Sequence, residues 1–185
     1  MFIYCGLKNN IRFTMRNKYI TVKNSSIHGQ GIYAKIDIPA DTLIIQYVGE
    51  KITKTEAEIR AEKVREDAKK YGTGAVYIFT LDDQYDIDGN VSWNTARLIN
   101  HACETNCEAQ IIDDEIWIVA TEDITKGEEL HYDYGYDLDD WRDHPCYCGK
   151  PSCIGYIVEQ RYRKKVRRIL RTEKATQRRQ QQSIC

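Results

Sequence analysis

Three cysteines crowd one short stretch, "CYCGKPSC" at 146–153. The C-x-C-x4-C spacing is too tight for one disulfide framework and well placed to wrap a metal ion. Gly149 and Pro151 supply the turns that such a knuckle needs. A closed zinc site takes four ligands in a tetrahedron. Cys146, Cys148 and Cys153 are local, so the fourth must come from elsewhere; Cys103, Cys107, Cys5, Cys185 and His144 are the candidates. The C-x-x-C spacing of a redox pair is missing from the stretch. A second stretch, "LINHACETNC" at 98–107, sets an Asn-His pair before two cysteines four apart. Alone it reads as half of a metal site, a nucleophile with its base, or a buried turn. A third, "HGQG" at 28–31, offers either a tight turn or a backbone without Cβ atoms that lets a ligand come close. Tyr47, Tyr77, Tyr132, Tyr134 and Tyr136 each fall at a strand or strand end, in a chain with 13 tyrosines and 3 phenylalanines. Each suits a half-buried sheet position. Converging, they would form a narrow, hydroxyl-lined slot for an amine-bearing chain or another cation.

Short strands must position these groups. "YITV", the run after the two glycines, "AVYIFTL" and "YDIDG" carry strand signals, and "DTLIIQYVGEKI" reads as one strong strand ended by Gly49. "EAQIIDDEIWIVAT" predicts a hairpin with Asp113-Asp114 near its tip. "TARLINHA" is open between a short helix and a buried strand. "TKTEAEIRAEKVREDAKKYG" is the best helix, with a capping-box pattern at Thr53 and Glu56 and a stop at Gly72. The whole predicts a mostly β domain with one helical insert.

The chain has 185 residues, enough for one domain with a core. No run approaches the roughly 18–20 apolar residues that span a bilayer, so no membrane partner is expected. The N-terminal segment lacks the order of a secretion signal, and it is expected to be loosely ordered, with the patterned sequence starting just after Met15. Seven cysteines, an odd number without such a signal, argue against a disulfide scaffold and for a reducing, intracellular compartment. The net charge of −1 hides an asymmetry: residues 159–185 carry ten Lys/Arg and two Asp/Glu, a charge of +8, which leaves −9 for the rest. An acidic body suits a basic partner. The helix-compatible basic tail suits an anionic partner or a solvated helical face.

Taken in order, "HGQGIYA", "YVGE", "YIF", "ARLINHACETNC", "GEELHYDYGY" and "CYCGKPSC" resemble the SET domain of protein lysine methyltransferases, with its zinc-binding post-SET segment. The pattern is nearest the trithorax-like group and runs from about Lys23 to Gly155. The resemblance implies a β-clip, pseudoknot-like fold of small sheets, in which the Asn-His chain is threaded by the later "ELHYDY" strand. It divides the chain into an extension (1–18), a SET domain (19–138), a post-SET zinc segment (139–158) and a basic helix or tail (159–185). It implies S-adenosylmethionine as methyl donor, contacted by His28, Gly29, Gln30, Gly31, Tyr77, Asn100 and His101, with a backbone contact from Tyr147. Tyr134 matches the catalytic tyrosine, and Tyr77 and Tyr132 would share in the catalytic pocket. Cys103 would complete a Zn2+ site with Cys146, Cys148 and Cys153, which leaves Cys107 spare. Ala102 and Thr105 depart from the family's Ser and Pro, and a looser turn is expected there.

The chemistry implied is methyl transfer to a lysine ε-amine, an in-line displacement in which positioning carries much of the rate. A free lysine has a pKa near 10.4, and a tyrosine-lined channel beside a sulfonium disfavours its ammonium form. The expected substrate is a basic, lysine-bearing protein, a histone or histone-like one. Tyr132, at the family's Phe/Tyr position, suggests mono- or dimethylation. The acidic loop with Trp141 would shape the substrate channel or pack over the zinc knuckle. Two alternatives stand beside the enzyme: a catalytically silent SET-like peptide-binding scaffold, and a nucleic-acid binder acting through residues 161–179. The compartment follows the substrate: cytoplasm, nucleus, or a host cell into which the protein is delivered.

Overall fold

The computed structural model describes residues 17–71, 76–139 and 141–182. The expected loose N-terminal extension, the helix stop at Gly72 and the ligand candidates Cys5 and Cys185 lie outside the described residues.

Alternating apolar residues build the first hairpin. β1 (Ile20–Asn24) pairs antiparallel with β2 (Gln30–Ala34), and Ile20, Ile32 and Ala34 turn inward. The connection carries His28 and Gly29. The strand read from 41–52 does end ahead of Gly49, as β3 (Leu43–Tyr47), and the residues beyond that glycine form a further strand, β4 (Glu50–Thr53), in a different sheet. The chain breaks at Val48-Gly49, where Gly49 backs onto the Asp88 carbonyl; a Cβ there would sit 2.2 Å from that oxygen. α1 (Lys54–Tyr71) begins where the Thr53 hydroxyl accepts the Glu56 N–H at 3.3 Å, the expected cap. Arg60 tethers the helix to the sheet beneath it, reaching Glu50 at 2.8 Å and Asp88 at 2.7 Å. β5 (Ile78–Thr80) and β6 (Tyr85–Asp88) complete that sheet in the order β4-β6-β5.

The ambiguous run 95–102 resolves into both readings in turn. Thr95–Leu98 form a 3-10 helix, and Asn100–His101 form the short strand β7. β8 (Cys107–Ile112) and β9 (Glu115–Ala120) make the expected hairpin. Asp113 and Asp114 take left-handed φ of 51° and 61°, the geometry of a tight two-residue turn. β9 sits between β3 and β8, and its inward residues Ile116, Ile118 and Ala120 are buried at the centre of the main core with Ile32, Ile38, Ile44, Ile99, Ile124 and Leu130. Each fully buried Ile or Leu contributes about 1.5–3 kcal/mol relative to exposure. β10 (His131–Tyr132) pairs in parallel with β7, His131 against Asn100 and Tyr132 against His101. This pairing brings the two motif segments side by side although some thirty residues separate them.

Beyond β10 a second helix, α2 (Gln160–Gln182), follows the cysteine knuckle. Trp141 does not shape the cleft, nor does it join the thiol cluster. It is 3% exposed and packs with Val158 and Val166, its ring edge-on to Tyr156 at 4.6 Å. The indole lies between residues that follow the cysteine knuckle, Tyr156 and Val158, and Val166 on α2, so it helps to seat that helix against the knuckle segment. Among the described residues no helix is long and apolar enough to cross a membrane.

Candidate active site and metal centre

The β7–β10 pair floors a cleft of about 890 Å3. His28, Gly29, Gln30, Tyr77, Asn100, His101, Tyr132, Tyr134 and Tyr147 all line it. Of the expected cofactor contacts, only Gly31 is not among the lining residues; it supports the loop from behind. The Asn100 amide donates to the Gln30 carbonyl at 3.1 Å and to Glu129 Oε1 at 2.9 Å. A Cβ on Gly31 would meet that same carboxylate oxygen at 2.2 Å, and the Tyr33 hydroxyl holds the other oxygen at 3.0 Å. Glu129 therefore cannot swing away cheaply. Asn100 and Glu129 lock the glycine loop against β7, and Gly31 is needed for that approach.

The tyrosines do converge. Ring centroids run Tyr47–Phe79 at 4.8 Å, Phe79–Tyr132 at 5.7 Å, Tyr132–Tyr134 at 5.1 Å and Tyr134–Tyr136 at 5.9 Å. The Tyr47 hydroxyl donates to the Tyr77 carbonyl at 2.9 Å, which fixes the chain that presents Tyr77. Tyr134 donates its hydroxyl to the Ile99 carbonyl at 3.0 Å and its backbone N–H to His101 Nδ1 at 3.3 Å. With its proton committed, the Tyr134 oxygen keeps lone pairs to accept from a ligand. Burial, reinforced by neighbouring phenols, pushes the Tyr47, Tyr132 and Tyr134 hydroxyls well above the ordinary tyrosine range. All three are neutral at physiological pH, so they offer hydrogen-bonding hydroxyls rather than phenolate bases.

His101, 3% exposed, bridges the cleft to the thiols: its Nε2 lies 3.8 Å from Cys103 Sγ. The sulfurs of Cys103, Cys146, Cys148 and Cys153 all lie within 4.8 Å of one another. Of the other candidates, Cys107 is 1% exposed in the main core, where burial pushes its thiol up to about 12. His144 lies against Tyr136 on the cleft wall, the two rings tilted with centroids 4.4 Å apart. The donor set of four sulfurs fits zinc or another thiophilic ion. Backbone N–H groups already point at it, from Cys103 to the Cys148 sulfur at 3.5 Å and from Gly155 to the Cys153 sulfur at 3.3 Å. The Cys146 sulfur, 3.9 Å away, and the adjacent His101 hold Cys103 well below the usual thiol range.

Four supporting residues escape motif reading. Asn106 clamps the turn expected to be loose: its amide donates to the Glu129 carbonyl and accepts the His131 N–H, both at 2.9 Å. Glu129 lies within "GEELHYDYGY", a motif that assigns it no role. Asp133 and Arg163 form a partly buried ion pair at 2.6 Å, and the buried Arg163 also donates to the carbonyls of Cys103 and Val158. The signal for Arg163 was a cation at the position where α2 turns its face to the body, visible only once the helix is docked.

Small sheets around a parallel two-strand crossing, an aromatic cleft beside it and a thiol cluster at its rim define a SET-type fold. The model of the SET domain matches residues 29–135, and the chain belongs to that family. The chain is 40% identical over 152 residues to the "Histone-lysine N-methyltransferase, H3 lysine-4 specific" of Eremothecium gossypii, covering 79% of this chain and 15% of that protein. It is 41% identical over 150 residues to the protein of the same description from Candida albicans, covering 78% and 14%. It is 37% identical over 152 residues to the "Histone-lysine N-methyltransferase TRX1" of Oryza sativa subsp. japonica, covering 80% and 14%. The chain thus spans about one seventh of the length of the curated relatives it matches.

Proposed function

We propose that this chain methylates the ε-amine of a lysine in a basic protein, a histone or histone-like one, with S-adenosylmethionine as the donor. The observation that carries the reading is the convergence of the glycine loop, the Asn-His strand and Tyr134 on one cleft large enough for a nucleoside-bearing ligand. When bound, S-adenosylmethionine supplies an electrophilic methyl group. His28–Gly31, Tyr77, Asn100 and His101 would hold it, with Tyr147 adding a backbone contact. The Tyr134 oxygen, its own proton on the Ile99 carbonyl, orients the incoming amine by accepting from it. Tyr77 would line the approach, and the ring series excludes water and favours the neutral amine over the ammonium. Cys103, Cys146, Cys148 and Cys153 would hold Zn2+ in a closed four-sulfur site, which leaves no open position and so a structural role. Tyr132 would narrow the amine pocket and favour mono- or dimethylation. Residues 19–138 would form the SET body and 139–158 the post-SET segment. Residues 161–179 would contact nucleic acid, and a histone substrate puts the site of action in the nucleus.

The direct experiment is incubation of the purified chain with methyl-labelled donor and a core-histone mixture. Label on lysine supports the reading; donor binding without transfer would leave a peptide-binding scaffold in its place. Mass spectrometry of the product addresses Tyr132: Tyr132→Phe is expected to raise the share of higher methylated lysine, and an unchanged distribution contradicts the pocket argument.

A further inference from the structure

α2 is 23 residues long, about 35 Å at 1.5 Å per residue, and its two faces differ sharply. Tyr162, Val166, Ile169 and Leu170 face the body with Trp141 and Val158. Glu173 lies on the same side and pairs with Arg142 at 2.6 Å. The opposite face repeats a cation every three or four residues: Arg161, Lys164, Arg168, Arg171 and, one turn past Ala175, Arg178. Lys165 and Arg179 flank this row, and all seven are exposed. Arg161 is held by Glu159 at 2.8 Å; among the described residues the others enter no ion pair. Residues 171–181 are exposed on every side and contain no apolar residue larger than alanine.

This arrangement is poorly suited to stability alone. Like charges three and four apart on a helix repel, and a helical segment without packing is marginal in water. A ligand with closely and regularly spaced negative charge relieves both. The apolar face is already used against Trp141, so no surface remains to insert into a lipid bilayer. A straight helix about 10–12 Å across fits the major groove of a duplex, about 12 Å wide.

We propose that α2 is a duplex-binding helix, which grips the phosphate backbone of double-stranded nucleic acid through the row Lys164, Arg168, Arg171 and Arg178. The inference rests on the nucleic-acid contact of residues 161–179 and is independent of methyl transfer. It gives the chain a second attachment to a target whose basic protein lies on nucleic acid.

The experiment is anisotropy of a labelled 20-base-pair DNA duplex with the full chain across a salt series. About four neutralised phosphates give a slope of about −3.6 in log K against log salt, roughly a hundredfold loss between 50 and 200 mM. The Lys164→Gln/Arg168→Gln/Arg171→Gln/Arg178→Gln variant is expected to lose nearly all of that slope. The charge-keeping Arg168→Lys/Arg171→Lys/Arg178→Lys variant is expected to retain it. Helical content and methyl transfer to a free peptide should match wild type in both. A wild-type slope near zero, or equal slopes for wild type and the glutamine variant, overturns any nucleic-acid role for α2. Equal affinity for single-stranded DNA of the same length, for heparin or for phosphatidylserine vesicles overturns the duplex assignment alone. Loss of methyl transfer with duplex binding intact would count against the proposed activity and not against α2.

Discussion

Glu129 shows how a single carboxylate can set a ligand loop. Asn100 and Tyr33 hold its two oxygens, and the missing Cβ of Gly31 leaves room for its approach. Gly31→Ala would drive a methyl group into that carboxylate, and donor binding measured by calorimetry is expected to weaken at least tenfold with the fold retained. Cys107 offers a different residue-level prediction. Its thiol is buried in the main core and pushed up to about 12, against about 8.5 in an unfolded chain. Because the folded value is the raised one, its contribution to stability is complete below about pH 8.5 and is lost as the pH climbs toward 12. Cys107→Ala should therefore cost about 1 kcal/mol at pH 7. By pH 10 the wild type should have lost about 2 kcal/mol that the variant keeps, so the order of stabilities reverses. Denaturant midpoints at the two pH values check this, and a constant offset would show that the thiol is not held protonated.

At the scale of elements, Arg163 joins the parts that carry the chemistry. From the first turns of α2 it reaches Asp133 just past β10, the Cys103 carbonyl beside the thiols and the Val158 carbonyl ahead of the helix. Arg163→Ala would leave the two carbonyls and the partly exposed Asp133 without their shared donor, at a cost of about 2 kcal/mol. A lowered melting temperature together with weakened metal retention is expected; a variant as stable as wild type would mean that α2 docks through Trp141 alone. Metal retention has its own comparison: Cys103→Ser is expected to cost bound zinc and activity, while Cys107→Ala spares both, as read by zinc content after dialysis. Much at this scale was legible in the sequence. Thr53 and Glu56 marked the cap of α1, and the paired aspartates marked the β8–β9 turn, because those signals are local. The break at Gly49 was legible too, but not that Glu50–Thr53 would resume as a strand of a different sheet, since its partner there, β6, is distant in sequence. Trp141 stayed open between the channel and the knuckle because what decides it is a cluster joining Tyr156 and Val158, next to the knuckle, with Val166 on α2, residues distant from it in sequence.

Across the whole molecule, the site is a product of chain crossing. No single segment holds the cleft; the glycine loop, β7, β10 and the cysteine knuckle each bring one part, and the parallel β7–β10 pair makes them neighbours. The motif residues were readable in order along the chain, whereas Asn106, Glu129 and Arg163, which bind the segments to one another, draw their roles from contacts that order alone does not encode. Charge is divided in the same way, with an acidic body suited to a basic protein and a cationic row on α2 facing outward. The central proposal is that the cleft, with a neutral Tyr134 at its floor, transfers methyl groups to lysine. The most direct measurement is quantitative mass spectrometry of a histone H3 peptide after incubation with the methyl donor, for wild type and Tyr134→Phe side by side. The account predicts 14-dalton additions, about one methylene unit each, on lysine for wild type and at least a hundredfold slower addition for the variant, with donor binding unchanged. Equal rates for the two proteins, or methylation at a side chain other than lysine, would contradict it.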